Sequence, residues 1–377
     1  MLSSAQGPLD ALISGQIDWE YLLSLASAHG LEPLLLLHLS RHSPAQFPES
    51  FLQSLQNRCN EIARRNLVLA WKLTSVSAHL TARAIEHLAY KGPFLAQTYY
   101  GNCGLRVFGD LDLVVPQPKI VAAYEALQEI GFSDKTGFSP AQRSAAFRFG
   151  FEHPLTDAAG IEIDLHWRVV PDFISHSLDS EGIWQRASRL PFFGHEVPSF
   201  CPEDLLVALC LHAGQHEWAE ISAFCDIFQV MSLHPNLDWR IVSSHLGDSN
   251  TRRIVFVCLH LLQRHWNVTL PAEFASMVAA DEHVASLADR VHNSFWPVPD
   301  STPARADFRW LRDRSAGEKV VDRWRLCKGM TLNPTQADFE AFRLPGFLVP
   351  VYPWLRALRL ILKYAQPAAQ PGPRIRS

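Results

Sequence analysis

Two aspartates stand two positions apart in an apolar, β-branched segment, Gly109-Asp110-Leu111-Asp112-Leu113-Val114-Val115. Side chains i and i+2 of a strand project from the same face, so Asp110 and Asp112 would stand together while Leu111 and Leu113 face the opposite layer. Like charges this close repel, and a divalent cation such as Mg²⁺ or Mn²⁺, which prefers oxygen ligands, would neutralise them. The alternative interpretation is an exposed strand edge with two solvated acids, although aspartate is depleted in strands.

A second alternating segment follows, Gly160-Ile161-Glu162-Ile163-Asp164-Leu165-His166-Trp167. It predicts another strand, with Glu162, Asp164 and His166 on one face. Asp164 is therefore a candidate third carboxylate, and Glu162 is the alternative because both point the same way. His166 is either a packed histidine that hydrogen-bonds a carboxylate or a direct participant in the site.

Upstream, residues 85–96 predict a short strand, a Lys91-Gly92-Pro93 turn and then a helix. Pro93 suits the first helical position, where its missing N–H costs nothing. Backbone N–H groups at such a helix start, with Lys91 beside them, would form a phosphate-binding cradle. The alternative is that Lys91 is simply a solvated turn residue.

The order of these segments resembles the nucleotidyltransferase superfamily typified by DNA polymerase β: strand, glycine turn, helix, D-x-D strand and a later acidic strand. More closely, the chain resembles a bacterial family named uncharacterised nucleotidyltransferase. The specific part of this likeness, residues 85–170, carries Lys91-Gly92, Arg106, Gly109 to Val115 and Asp164-Leu165-His166-Trp167. Further matching residues are Asp18-Trp19, Ala28-His29-Gly30, Leu211-His212-Ala213, His216 and Asp226.

The resemblance implies an α+β fold, with a polymerase β-like core of a small mixed sheet and helices on one face, flanked by N- and C-terminal helical regions. It also implies two metal ions, Mg²⁺ or Mn²⁺, about 3.5–4 Å apart and bound by Asp110, Asp112 and Asp164. The implied reaction transfers a nucleoside monophosphate from an NTP, with ATP expected, to a hydroxyl of a small molecule, peptide or protein. Pyrophosphate is released, and Asp164 would also accept the hydroxyl proton.

Other residues of the implied site would bind the nucleotide. Lys91, the backbone after Gly92 and Arg106 would neutralise the phosphates. Gly109 and His166 would belong to the same nucleotide site. The alternative for Arg106 is that it serves only as a salt-bridge partner.

The turn departs from the superfamily pattern, because Gly92-Pro93 stands where Gly-Ser is usual. The departure removes a hydroxyl and one N–H from the phosphate-binding turn, and Lys91 would compensate. It also favours an alternative function, that of a catalytically silent nucleotide-binding or adaptor protein that keeps the fold. Retention of all three acids on two strands favours catalysis.

A second group of candidate ligands lies further along the chain. His212 and His216 are four positions apart on a predicted helix and share a face. With Asp226 they are compatible with a separate zinc site, and hence with a metal-dependent hydrolase. Ala213 stands where an H-E-x-x-H motif has its glutamate, so this is not the metalloprotease motif. The alternatives are a structural role between domains and a place in the wall of the acceptor pocket.

The composition of the chain indicates its size class and argues against a nucleic-acid partner. The chain has 377 residues, 47% of them hydrophobic, and a net charge of −4. It is long enough for two or three coupled units, and its charge offers no large basic surface, so no nucleic-acid template is expected. Seven cysteines without C-x-x-C spacing indicate reduced thiols. Because the first residues also lack a secretory pattern, we predict a cytoplasmic protein.

Four regions are predicted: an N-terminal helical region at 1–80, the nucleotidyltransferase core at 81–200, a helical domain at 201–296 and a C-terminal extension at 297–377. Proline-rich residues 297–303 predict a hinge, and the tail after residue 367 is predicted to be disordered. Helical spacing is found at 19–40 with a break near Gly30 and Pro33, at 49–90, at 121–130 with an end at Gly131, and from Pro202 to about 292.

Two other segments complete the prediction. Residues 136–151 are predicted to be a loop or an excursion between strands. Residues 354–364 predict an amphipathic helix, in which Arg356, Arg359 and Lys363 fall at helical spacing. Such a helix would contact a membrane surface or a protein partner. The alternative is a terminal helix packed on its own protein.

Overall fold

Helices and short strands alternate along the chain in the computed structural model, which describes residues 17–175, 178, 181–296, 327–329 and 331–365. The α+β prediction is confirmed. Strands of the main sheet are β1 (Leu88–Ala89), β2 (Asp110–Val114), β3 (Ser133–Asp134), β4 (Glu152–Thr156) and β5 (Glu162–His166). Helices up to β4 are α1 (Trp19–Ala28), α2 (Glu32–Leu39), α3 (Glu49–Ala82), α4 (Gly92–Tyr100), α5 (Ile120–Glu129) and α6 (Pro140–Phe149).

The sheet has the strand order β1-β2-β5-β4-β3 and is mixed. Strands β2 and β5 run parallel, and the other neighbours run antiparallel. Parallel neighbours need a crossover, which α5, β3, α6 and β4 provide between β2 and β5. The arrangement places the two acid-bearing strands side by side at the centre of the sheet.

Alternation along β2 and β5 separates apolar from acidic side chains. Leu111, Leu113, Ile163 and Leu165 are fully buried and belong to one apolar core with residues of α3, α4 and α5. Since successive side chains of a strand point to opposite faces, the carboxylates of the same strands lie on the other face. Burial of the leucine face therefore fixes the direction in which the acids project.

The N-terminal helices follow the predicted pattern. Asp18 caps α1 by accepting a hydrogen bond from the backbone N–H of Tyr21 at 2.9 Å. The chain breaks at Gly30, whose φ of +64° is left-handed, and Pro33 lies in the first turn of α2. Helix α3 is a single helix of 34 residues that ends a few residues before β1. The helices at 19–40 are confirmed, and so is the end of α5 before Gly131. The long helix predicted at 49–90 is confirmed in its start but ends earlier, at Ala82.

Residues 136–151 were predicted to be a loop or an excursion between strands, and they form an excursion between β3 and β4 that contains α6 rather than a loop. Ser139 accepts a hydrogen bond from the backbone of Gln142, whose side chain accepts from the Ser139 backbone. This reciprocal pair is a capping box, and Pro140 takes the first helical position. The sequence thus contained the start signal of the helix.

Beyond β5, helix α7 (Glu181–Arg186) precedes a hairpin that the sequence did not predict. Its strands are β6 (Ser188–Phe192) and β7 (His195–Ser199). Phe193 and Gly194 join them, and both have positive φ values. Two-residue hairpin turns need such values and usually have Asn or Gly at the first position. Phenylalanine is unusual there, so the sequence did not indicate a turn.

A helical region follows, as predicted from Pro202 onward. It comprises α8 (Pro202–Gln215), α9 (Ile221–Leu233), α10 (Trp239–Ser244), α11 (Ser249–Trp266), α12 (Ala272–Ala280) and α13 (Glu282–Ser294). One buried apolar cluster extends from Leu69 to Phe295 and so includes both the sheet and these helices. The limits of the four predicted regions stay a prediction.

The C-terminal part contains α14 (Gln336–Ala341) and α15 (Tyr352–Ala365). Asp338 accepts hydrogen bonds from Arg356 at 2.8 Å and Arg359 at 2.5 Å, so both arginines face α14. Trp354 and Ile361 are exposed on α15. A partner for residues 354–364 stays a prediction, while the predicted hinge and tail lie outside the described residues. Within the described ranges, no helix is long and apolar enough to cross a membrane.

Candidate active site

Strands β2 and β5 bring two of the predicted acids directly opposite each other. Asp112 pairs in register with Asp164, and Val114 pairs with His166. One ligand atom from each of Asp112, Asp164 and His166 lies within 4.8 Å of the other two. Among the described residues, this is the one group of histidine, cysteine and acidic side chains with the spacing of a metal site. The sequence predicted all three residues.

Asp110 begins β2, two positions before Asp112, and lies on the same face. It is only partly buried, whereas Asp112 is 5% exposed. Burial raises the pKa of Asp110, and the negative charge of Asp112 adds to that effect. Burial also raises the pKa of Asp164, with further contributions from Asp112 and Asp110. A nearby positive charge would therefore stabilise the ionised forms of both carboxyls.

Asp112 already has two cationic or hydrogen-bonding neighbours. Its Oδ1 lies 2.7 Å from Lys91 Nζ and accepts a hydrogen bond from His166 Nε2 at 3.2 Å. Burial alone would raise the pKa of Asp112, but Lys91 and His166 outweigh burial and hold it well below its usual range. Asp112 is therefore ionised, and Lys91 lies in the acid cluster rather than in solvent.

His166 links Asp112 to a residue that sequence reasoning missed. Glu152 of β4 lies opposite His166 in the antiparallel register, and its Oε2 is 3.4 Å from His166 Nδ1. Burial lowers the pKa of His166, but the hydrogen bond to Asp112 and the charge of Glu152 outweigh it and raise the pKa. The alternation of Glu152-His153-Pro154-Leu155-Thr156 was the signal that could have revealed this strand.

Lys91 and Gly92 form the turn into α4. Lys91 is the N-cap residue, and the helix begins at Gly92, so Pro93 occupies the second helical position rather than the first. Gly92 has a φ of +55°, and a Cβ at this position would lie 3.0 Å from the Asp110 carbonyl oxygen. Only glycine accommodates both conditions without strain. The turn thus packs directly behind the first acid of β2.

Lys91 also contacts the helical region. Its Nζ donates a hydrogen bond to Nδ1 of His212 at 3.2 Å. Burial and the charge of Lys91 hold the pKa of His212 well below its ordinary value, so the imidazole is neutral and accepts this bond. The rings of His212 and His216 lie 4.5 Å apart. Both histidines therefore belong to the wall opposite the acids.

Asp226 lies apart from these histidines. It receives two hydrogen bonds from Arg106, Nε to Oδ1 at 2.9 Å and Nη2 to Oδ2 at 2.8 Å, and one from the Tyr100 hydroxyl at 2.7 Å. Burial would lower the pKa of Arg106, but Asp226 outweighs it and raises the pKa. The separate zinc site considered for His212, His216 and Asp226 is not formed by the described structure.

Arg65 contacts the backbone just before β2, and Glu162 lies outside the acid cluster. Arg65 of α3 donates a hydrogen bond to the Gly109 carbonyl at 2.9 Å, and a Cβ on Gly109 would lie 2.9 Å from the same guanidinium. No local pattern predicted Arg65, because it lies 44 positions from its partner. Glu162, the alternative to Asp164, forms an ion pair with Lys135 at 2.5 Å and lies outside the acid cluster.

A cleft of about 360 Å³ opens over these side chains, and we call it the acid cleft. It is lined by Lys91, Arg106, Val107, Phe108, Gly109, Asp110, Asp112, Glu152, Asp164, His166, Val169, His212, Ala213, Gln215, His216, Trp218, Ala219, Glu220 and Ala223. Every predicted site residue except Gly92 lines it. His212 and His216 also line it, and their predicted place in an acceptor pocket stays a prediction.

Comparison with known proteins identifies the family of the chain. Residues 15–267 match the model of the family described as uncharacterised nucleotidyltransferase, and the chain belongs to that family. The resemblance predicted from the sequence is thereby confirmed.

One solved structure is similar in part, that of an antigenic nucleotidyltransferase-like protein from Paracoccidioides brasiliensis. The similarity covers 57% of this chain and 92% of the other, at 15% identity and a TM-score of 0.32. The search of curated proteins gave no match.

Proposed function

We propose that the protein transfers a nucleoside monophosphate from an NTP to a hydroxyl group in the presence of Mg²⁺ or Mn²⁺, with ATP as the expected nucleotide. The observation that carries the proposal is the register of β2 and β5, which sets Asp112 opposite Asp164 and leaves Asp110 in the same cleft. Membership of the nucleotidyltransferase family supports the type of reaction.

The donor set fits a divalent cation. Two carboxylates and an imidazole converge within 4.8 Å, and Asp110 lines the same cleft. Carboxylate oxygens suit both Mg²⁺ and Mn²⁺, whereas both nitrogens of His166 face carboxylates. Asp110, Asp112 and Asp164 are the proposed ligands, and a bound cation would supply positive charge for the triphosphate and the leaving pyrophosphate.

The remaining roles belong to side chains of the cleft. Lys91 and Arg106 provide positive charge on the side of α4, where the triphosphate would lie. Asp164 is proposed to accept the proton of the attacking hydroxyl, since burial and neighbouring acids raise its pKa. His166, held between Asp112 and Glu152, fixes the orientation of Asp112. Gly92 allows the turn to approach the Asp110 carbonyl, and Gly109 allows the Arg65 guanidinium to approach the backbone before β2.

A second candidate function is that of a silent nucleotide-binding or adaptor protein. It is favoured by the 2.7 Å ion pair of Lys91 with Asp112, because the lysine neutralises a carboxylate that a cation would need. The Gly92-Pro93 turn, which lacks the usual serine, favours it too. Such a protein would bind an NTP without turnover.

The test is to incubate the full chain with each α-³²P-labelled NTP and Mg²⁺ or Mn²⁺, alone and with cell extract. We expect metal-dependent label transfer that Asp110→Asn and Asp112→Asn each abolish while the thermal unfolding curve keeps its shape. Asp289→Asn, in an exposed pair with Arg264, is the matched control and should behave as the parent chain. Unchanged turnover in both site variants would refute the proposal, and nucleotide binding without turnover in the parent chain would establish the silent alternative.

A further inference from the structure

A second cavity of about 590 Å³ adjoins the acid cleft, and the two share Glu152 and Asp164. We propose that this second cavity binds the acceptor, and that the acceptor is a hydroxyl compound with an aromatic body and no negative charge. The inference rests on the proposed function, because it assigns the partner of the same reaction. Nothing in the family description specifies an acceptor.

The positions of the cations separate the nucleotide from the acceptor. Lys91 and Arg106 line the acid cleft and do not line the second cavity. The lysine of the second cavity, Lys135, is bound to Glu162 at 2.5 Å. Lys91 and Arg106 also have carboxylate partners, but together they place two cations beside the acid cleft, so the triphosphate is favoured there. A hydroxyl compound in the second cavity lies next to Asp164, which lines both cavities.

Aromatic side chains dominate the wall of the second cavity. Phe149, Phe151 and Phe173 line it and are each only partly buried. Behind them, Phe138 and Phe339 pack edge to face at 5.9 Å and are buried. Aromatic rings prefer offset or edge-to-face neighbours at about 4.5–7 Å, so these partly exposed phenylalanine rings favour an aromatic ligand. The volume lies in the usual range for a small-molecule site.

The charge of the wall excludes one class of acceptor. Four carboxylates line the cavity, Glu152, Glu162, Asp164 and Asp172, together with the single lysine Lys135. Asp172 forms an ion pair with Arg168 at 2.5 Å, and Glu162 neutralises the lysine. Glu152 lies 3.4 Å from His166 Nδ1 and Asp164 is a proposed cation ligand, so the described wall offers an acidic surface whose one lysine already has a carboxylate partner. A phosphate or carboxylate on the acceptor would be repelled, while a neutral or cationic compound would not.

The proposed chemical step balances without a further reagent. The acceptor oxygen forms a bond to the α-phosphorus of the NTP, and the bond from that phosphorus to the bridging oxygen breaks. Pyrophosphate leaves with the bond electrons, and the hydroxyl proton passes to Asp164. The products are the nucleotidylated acceptor and pyrophosphate.

The experiment measures binding of three phenols that differ in charge: tyramine, N-acetyltyramine and 4-hydroxyphenylacetate. Calorimetry on the full chain is run with and without Mg²⁺ and a non-hydrolysable ATP analogue. We expect the cationic and neutral phenols to bind and the anionic one to bind at least about tenfold more weakly. Phe149→Ala and Phe173→Ala should each weaken phenol binding by about tenfold and leave the affinity for the ATP analogue unchanged.

Two variants make the result specific. Phe228→Ala is the matched control, because Phe228 is also partly buried but lines a different cavity. Glu162→Gln leaves Lys135 without its ion pair and should improve binding of 4-hydroxyphenylacetate. Because the Glu162 side chain is 42% exposed, this variant tests the charge assignment even if the phenylalanine variants fail to fold.

Three outcomes would overturn the inference: equal binding of all three phenols, phenol binding that ignores Phe149 and Phe173, or loss of ATP-analogue affinity in those variants. The last would show that the cavity holds the nucleobase. Failure of the proposed function would look different. In that case the ATP analogue would not bind in a metal-dependent manner. The affinity of the phenols for the nucleotide-free protein would still test whether the second cavity binds an aromatic compound.

Discussion

The ammonium group of Lys91 lies 2.7 Å from the Oδ1 atom of Asp112, the acid that stands opposite Asp164 in the central strand pair. Lys91 is 8% exposed, and Asp112 is 5% exposed. A buried carboxylate is costly without a partner, so this lysine stabilises the acid cluster before any cation binds. The same lysine competes with a cation for Asp112.

Replacing Lys91 should reveal this competition. In Lys91→Met we expect the dissociation constant for Mn²⁺ to fall by about tenfold, because a positive charge next to the ligands is removed. The variant should also be less stable without metal, since Asp112 loses its ion pair. Calorimetric titration with Mn²⁺ and thermal unfolding with and without Mn²⁺ measure both effects.

Lys72→Met is the control for the lysine experiment. Lys72 forms a comparably close ion pair, at 2.6 Å from Asp157, and lies outside the acid cleft. Its loss should leave the Mn²⁺ affinity unchanged. Weaker Mn²⁺ binding in Lys91→Met would contradict the competition.

A methyl group at Gly92 should damage both stability and the site. The positive φ alone costs an alanine about 1 kcal/mol, and at Gly92 the added Cβ also meets the Asp110 carbonyl. Gly101 provides the comparison, because its φ is +73° and a Cβ there meets nothing within 4 Å. We expect Gly92→Ala to lower the free energy of unfolding more than Gly101→Ala does, as measured in urea, and to weaken nucleotide binding. Equal losses would show that the contact with Asp110 does not matter.

Asp226→Ala should be strongly destabilising. It leaves the Arg106 guanidinium, whose side chain is 14% exposed, without its two hydrogen bonds, and it leaves the Tyr100 hydroxyl without an acceptor. Breaking a buried pair in this way costs about 3–5 kcal/mol. Asp289→Ala removes an exposed pair with Arg264 and should cost no more than about 1 kcal/mol. Urea unfolding of both variants tests the prediction, and similar losses would argue against a structural role of the buried pair.

Asp204 should make the free energy of unfolding depend on pH. Its carboxylate is fully buried and accepts hydrogen bonds from His245 at 2.7 Å and Arg186 at 2.9 Å. Burial raises the pKa of Asp204, but these bonds outweigh burial and lower it below the ordinary 3.8. The ionised group therefore stabilises the fold above pH 3.8, and this stabilisation is lost as the pH falls through the lowered value.

Comparison with Asp204→Asn isolates that contribution. We expect the difference in the free energy of unfolding between the parent chain and the variant to be largest near neutral pH and to shrink as the pH falls below 3.8. Urea titrations at a series of pH values give this difference directly. A difference that stays constant with pH would assign the stabilisation to something other than the charge of Asp204.

Local periodicity accounts for what the sequence predicted well. Alternation with a period of two placed Asp110 and Asp112 on one face of β2 and Asp164 on the corresponding face of β5. Burial of Leu111 and Leu113 leaves no other orientation for the strand. The pairing of β2 with β5 came from the family resemblance, because no local pattern states which strands are neighbours.

Partners distant in sequence account for what the sequence could not predict. Asp226 pairs with Arg106 across 120 positions, and Glu152 reaches His166 only through the β4–β5 pairing. Aspartate and glutamate occur on many helices and strands, so the sequence around Asp226 and Glu152 does not indicate their partners. The tertiary fold determines them. Helix α6 is different, since its capping box at Ser139 was readable and the segment was nevertheless not predicted to contain a helix.

The wall of the second cavity is formed by residues inside the family match and by residues that follow it in the chain. Phe149 and Phe173 lie within the region matched by the family, residues 15–267, whereas Asn333, Pro334 and Phe339 lie beyond it. Substitutions in that late segment can reshape the cavity without disturbing β2 or β5. Under the proposed function, proteins that share these acids and differ in this late segment would bind different acceptors and carry out the same transfer.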